Sequence, residues 1–562
     1  DSFMPGLRRL ALEAANGQSI VGSWGHKFAG PDGRLQGYGM RNAPGLPLTI
    51  SLILAREAGV DDPEVDIAIE RSARLMRFYV GKGAVPYGDH HPWIQTHEDN
   101  GKCGMAAVMF NLLGEPDGSE FFSRMSLASH GAERDTGHTG NFFNITWSLP
   151  GVAQSGPHAT GAWMQEFGAW YFDLARQWDG TFLHQGPPQE RNDSYPGWDA
   201  TGAYMLAYAM PLKKIYLTGK QSATTTQLDP ITSRALILDG RGWNNKDRNS
   251  FYDELSEEEL LARLGSWSPV VRERAAMALA RRKDAPPITA LTAMLEDSRI
   301  ENRYGACQAL AKLRGRSAEA VPELMRNLEH EDLWLRIKAA EALAAIGEPA
   351  GSAVPQMLQM LAKGPSENDP RGMEQRYLCF ALFNRRDGML GRSLDSIDRE
   401  SLYAAVQAGL CNEDGRARGS IESVYQNLSY EEIKPLLPAI HRAVVEPAPS
   451  GIMFADGIRL SGLEILAKHR IAEGIDACVK YAGTQNPWGS EKRIPQVMDI
   501  LLNYGAWAKP AIPELRKIAD SFESGEKNYP QKLSLDKARV VRETIAAIEA
   551  SNEYPELIRL KQ

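Results

Sequence analysis

Residues Arg272-Glu273-Arg274-Ala275-Ala276-Met277-Ala278-Leu279 decide the fold class, because the chain writes their pattern again. Arg303, Ala306 and Leu310 keep the spacing of Arg272, Ala275 and Leu279, and Arg336, Ala339 and Leu343 keep it once more, at shifts of 31 and 33 residues. Small Ala positions let two helices approach closely, while Leu fills the seam between them. A second apolar stretch follows, opened by proline, in Ala320-Val321-Pro322-Glu323-Leu324 and Ala353-Val354-Pro355, and the cadence returns at Ala511-Ile512-Pro513-Glu514-Leu515. Proline in the first helical turn removes no intrahelical hydrogen bond. A helical hairpin of this size cannot bury its apolar face alone and must stack on its neighbours.

The phase of these positions resembles HEAT repeats, most clearly over Ser256–Lys363 and more loosely beyond, where longer loops such as Gly364–Arg371 and Glu446–Gly451 intervene. The resemblance implies an α-solenoid over residues 254–562 that offers a surface to a protein partner.

Residues 1–220 have different chemistry. Eight of the eleven His lie between His26 and His184, and seven of the twelve Trp between Trp24 and Trp198, so chemistry is sought here. Apolar helical stretches read Ser2–Ala15, Leu46–Ala58, Glu64–Val80, Gly101–Leu113, Glu120–Ser129, Thr139–Leu149, Ala159–Gln177 and Asp199–Leu217. They make four hairpins separated by Gly-rich aromatic loops. Residues 221–253, with a Ser/Thr run and then Asp239-Gly240-Arg241-Gly242, read as a connector laid over the surface.

Gly22-Ser23-Trp24-Gly25 ahead of a helix ending at Gly59, and Asp179-Gly180-Thr181-Phe182 ahead of Asp199–Tyr216, resemble the repeat of the α/α-toroid superfamily, which includes terpenoid cyclases and prenyltransferases. An Asp-rich acid motif and an Asp/Cys/His zinc set are both missing from the sequence, which argues against the cyclase and prenyltransferase chemistries. Through His97–Gly114, His138–Gly151 and Ser194–Lys220 the whole chain resembles an uncharacterised bacterial family with a toroid-like domain ahead of HEAT repeats. The expected fold is therefore all-α, toroid-like hairpins followed by a solenoid. The resemblance favours a periplasmic or secreted location.

In a toroid, alternate helices form the inner layer and run the same way, so their N-termini gather at one end. Tyr38, then His97-Glu98-Asp99-Asn100, then His138 with Asn141 and Asn144, then Asp193, Tyr195 and Trp198 stand at four such starts. Helix N-termini attract anions and oxygen-rich groups. Aromatic faces stack on sugar rings, and burial tunes nearby acids and bases. The expected ligand is a polysaccharide or oligosaccharide. A glycoside hydrolase needs two carboxylates across a bond; Glu98 or Asp99 would face Asp193 or Asp199. A polysaccharide lyase would use His138 and Tyr195 as base and acid, with Asn141 and Arg191 neutralising a uronate. Trp93, His97, Asn100, Asn144 and Trp198 complete the expected binding set. Capping alone also explains Asp99, Asn100 and Asp199. A binding scaffold without turnover, or a degenerate toroid that caps the solenoid, are the competing readings.

Asp89-His90-His91 with His97 lacks the fixed spacing of a metal site, and no metal or cofactor is expected. Cys103, at a helix start without an evident base, reads as a small core residue, and the five scattered Cys form no CxxC pair. The formal charge of −8 carries no basic footprint for nucleic acid. No apolar run approaches the ~20 residues that span a bilayer.

Overall fold

A computed structural model describes residues 3–35, 39–129, 140–183, 199–241, 251–449, 452–485, 487–525 and 529–560. Among these residues the chain is all-α, and β structure is confined to isolated bridges such as Trp24–Arg41 and Arg176–Phe182. None of the described helices is long and apolar enough to cross a membrane.

Contacts divide the chain into two compact units. The first holds Asp1–Gly33 and Met40–Leu313; the second is mainly Arg314–Gln562. In the first unit eight helices stand where the eight apolar stretches lie: α1 Met4–Asn16, α2 Asn42–Glu57, α3 Pro63–Arg77, α4 Lys102–Leu113, α5 Pro116–Ala128, α6 Gly140–Ala153, α7 Pro157–Gly168 and α8 Thr201–Ala209. Proline opens α1, α3, α5 and α7, where its missing N–H is no loss.

Helices α2, α4, α6 and α8 are neighbours in that order and form one layer. Helix α4 is buried from Lys102 to Leu112, wrapped by α2, α5 and α6. Glycines make its approach to α6 possible. A Cβ on Gly104 would lie 2.3 Å from the Trp147 carbonyl oxygen, and one on Gly151 would lie 2.4 Å from the Gly104 Cα. Gly101 faces Phe143 and Asn144, and Gly104 faces Trp147, so the two helices advance together and are parallel. The Asn42 side chain at the start of α2 donates to the carbonyls of Pro86 and Gly88, at 2.9 and 3.1 Å. The N-termini of α2, α4 and α6 thus share one end with the 85–101 loop.

The segment read as a surface connector is partly core. Helix α9, Pro230–Gly240, packs on α5 and α7, and Leu228, Leu236 and Ile237 join one apolar cluster with Trp163 and Phe167. Glu166 on α7 accepts from Arg241 at 2.6 Å and from Arg234 at 3.3 Å. The first repeats follow as α10 Glu257–Leu264, α11 Pro269–Arg281, α12 Ile288–Met294 and α13 Ile300–Leu313, and they belong to the first unit.

The second unit continues with α14 Val321–Asn327, α15 Leu333–Ile346, α16 Val354–Ala362, α17 Met373–Phe383 and α18 Arg399–Leu410, and later repeats run to Ala550. Pro322, Pro355 and Pro513 sit in first helical turns. The repeated arginine has a common task. Arg272 donates to the Ser266 carbonyl at 2.6 Å, Arg303 to Asp297 at 2.6 Å and Arg336 to His330 at 2.8 Å, each six residues upstream. Each guanidinium ties the loop entering its helix to that helix. Arg418 makes the same bond to Asn412 at 2.6 Å, which extends the register past the point where the sequence pattern fades. The pattern fades there because Ile421 replaces the small Ala.

Candidate functional site

The loop ahead of α4 is built on its own hydrogen bonds. Trp93, half-buried, donates its indole N–H to Thr96 Oγ1 at 2.7 Å, and the Thr96 hydroxyl donates to the Glu98 carbonyl at 2.7 Å. Asn100 and Gly101 then take left-handed conformations, with φ of 58° and 68°. Asn and Gly are the residues that tolerate this region. The reversal folds the Glu98 side chain back over the first turn of α4. Its Oε1 accepts from the amides of Asp99 and Cys103 at 2.8 and 3.0 Å, and its Oε2 from Gly104 at 3.3 Å. Glu98 is 1 % exposed, so its charge serves the helix end, where the dipole and unpaired amides favour an anion.

Lys102 stands in the first turn, where a cation opposes the dipole, and it is fully buried. Asp99 offsets this with an ion pair of 2.8 Å. Cys103 is fully buried, and burial together with the charge of Glu98 pushes its thiol well above the ordinary value. A thiol so held stays protonated and unreactive. His97 is also fully buried, and its Nε2 lies 2.9 Å from Ser268 Oγ. Ser268 is the N-cap of α11, accepting from the Val271 amide at 3.3 Å. His97 therefore joins the loop to the first repeat.

Helix α8 begins elsewhere in the hydrogen-bond pattern. Leu183 bridges to Asp199, and the Ala200 amide donates to the Phe182 carbonyl at 2.9 Å. Asp199 is exposed and accepts from the Thr201 amide at 3.0 Å. The Thr201 hydroxyl and amide hold its carboxyl below the usual range.

Of the expected site, the structure brings His97, Glu98, Asp99, Asn100 and Asn144 together at the starts of α4 and α6. Four of these five side chains are closed in by packing: His97, Glu98, Asn100 and Asn144 are each at most 2 % exposed. Glu98 caps the first turn of α4, Asp99 is an ion-pair partner, and Asp199 is exposed and bonded to Thr201 just ahead of α8. Tyr38, His138, Arg191, Asp193, Tyr195 and Trp198 lie outside the described residues, as does the Asn141 side chain. Sequence reasoning passed over Ser268 and Lys102, and only the former had a visible signal, as a Ser before proline at a helix start. Among the described residues no group of His, Cys, Asp and Glu is arranged to hold a metal ion.

Comparison with known proteins adds the following. Residues 1–219 match the family described as Domain of unknown function (DUF6288). Residues 257–318 and 288–372 match HEAT repeats. No curated protein matches the chain. An engineered protein of known crystal structure is similar at 15% identity, over 89% of this chain and 98% of that one, with a TM-score of 0.22. The chain thus carries a DUF6288 domain of unknown function over residues 1–219, followed by HEAT repeats.

Proposed function

We propose that this chain is a glycan-binding scaffold without hydrolytic turnover. In this reading its first hairpins form part of an α/α toroid, and its solenoid presents a surface to a protein partner. One observation carries the choice over a glycoside hydrolase. Two of the carboxylates described at the candidate site are already used, Glu98 on the first turn of α4 and Asp99 against Lys102. A hydrolase requires two carboxyl groups about 5–9.5 Å apart with access to the bond.

A uronate lyase is the second reading. It is favoured by the shared end of α2, α4 and α6, because His138 precedes α6 by two residues. His138 and Tyr195 would act as base and acid, with Asn141 and Arg191 against the carboxylate. Both readings meet one experiment. The purified chain is screened against neutral and uronate polysaccharides for binding, for reducing-end release and for absorbance of unsaturated products. The scaffold reading expects binding with no product. Unsaturated product that disappears in His138→Ala replaces it with the lyase. Reducing ends released without unsaturation, and lost in Asp199→Ala, restore the hydrolase.

A further inference from the structure

Within the first unit a cavity of about 390 Å³ opens beside α5, α11 and α13. This falls within the range of small-molecule sites, about 300–1,000 Å³. Its walls carry three rings. Phe121 and Trp267 meet edge to face with centroids 6.3 Å apart, and the Arg272 guanidinium lies 5.5 Å from the centroid of Tyr304. Trp267 is held by its indole N–H, which donates to Asp239 at 3.0 Å.

Arg272 is the unusual member. It is 2 % exposed, and its hydrogen bonds go to the carbonyls of Ser266 and Trp267 and to the amide oxygen of Gln308. Among the described residues no carboxylate lies within ion-pair distance of it. Arg336, in the same place of a later repeat, is paired with Glu374. A buried cation without an anion is costly, and an incoming carboxylate relieves that cost. Burial lowers the Arg272 guanidinium to about 10, against the opposing pull of Tyr304 and of the Glu301 charge.

The rest of the wall sets the limits on the ligand. Asp117, Glu120 and Glu301 stand beside Lys82 and Arg124, and Glu120 is paired with Arg124 at 2.5 Å. The three acids disfavour a second ligand carboxylate inside the cavity, so the other residues of a longer uronate chain stay outside it, and acids and bases together suit hydroxyls, which both accept and donate. Rings beside such groups suit the apolar face of a sugar.

We propose that this cavity binds one sugar residue bearing a carboxylate, a uronate, with its carboxylate on Arg272 and its ring against Trp267 and Tyr304. The proposal rests on the glycan-binding reading for its ligand class but uses none of the residues at the start of α4. The test is calorimetry of the full chain with trigalacturonate and with maltotriose. Trigalacturonate is expected to bind at least about tenfold tighter, with the preference weakening as salt rises. Trp267→Ala and Arg272→Gln should each lose about tenfold or more. Because either can disturb the fold, Glu301→Gln is the decisive variant. It removes a repelling charge and should tighten trigalacturonate binding while leaving maltotriose unchanged. Trigalacturonate binding that is indifferent to all three variants overturns the cavity and leaves the scaffold reading standing. Failure of both saccharides, and of every polysaccharide in the screen, ends both.

Discussion

Replacing Glu98 by Ala removes the acceptor for three backbone amides at once, those of Asp99, Cys103 and Gly104. Unsatisfied buried donors cost about 1–3 kcal/mol, so Glu98→Ala should destabilise the chain by about 3 kcal/mol. Glu98→Gln keeps an acceptor and should lose less. Urea unfolding followed by circular dichroism reads both. An unchanged midpoint with a loss of glycan binding would return Glu98 to the ligand. At this scale the sequence misleads for a physical reason. A carboxylate before a buried helix looks the same whether it faces a substrate or its own helix end, and only the left-handed turn at Asn100–Gly101 decides. His97 is similar, since its partner Ser268 lies 171 residues away and no local pattern announces it.

Elements were far more legible, because the signals that make helices are local. The proline-opened turns at Pro322, Pro355 and Pro513 and the arginine register at 272, 303 and 336 stand in the fold as written. The short turn Tyr430–Ile433 adds a pH test. Glu432 accepts from the hydroxyl and amide of Ser429 at 2.7 and 2.9 Å, and from Arg399 at 2.9 Å. The Ser429 hydroxyl first, then its amide and Arg399, bring the Glu432 carboxyl down to about 2. A depressed folded value means stability that is present above the ordinary value of 4.5 and lost as pH falls toward about 2. Glu432→Gln should therefore lower the melting temperature at neutral pH, with the gap to wild type narrowing below about pH 4.5. A gap constant from neutral pH to about pH 3 would show that the charge of Glu432 contributes nothing there.

Whole-molecule boundaries depend on which surfaces meet. Composition places a connector at 221–253, yet Leu228, Leu236 and Ile237 lie in the same apolar cluster as Trp163, Phe167 and Tyr204. Each such buried side chain contributes about 1.5–3 kcal/mol. A fragment ending at residue 220 loses that cover and the Ser268 partner of His97. It should lack a cooperative thermal transition, while a fragment ending at Leu313 should keep one. Near-ultraviolet circular dichroism during heating distinguishes them, and a cooperative 1–220 fragment would contradict the packing described here.

The amino-acid sequence alone determined where the helices lie and the phase of the repeats, but not which of the first eight helices pair: α3 packs on α2 rather than α4, and α7 on α6 rather than α8. Periodicity, proline and small residues act within a few turns of chain, so they are readable without coordinates. Tertiary structure alone decided which charged side chains are spent on folding. Burial and partnership arise where distant segments meet, as where Glu98 turns back on α4 and where Arg272 is enclosed beside Trp267 and Tyr304.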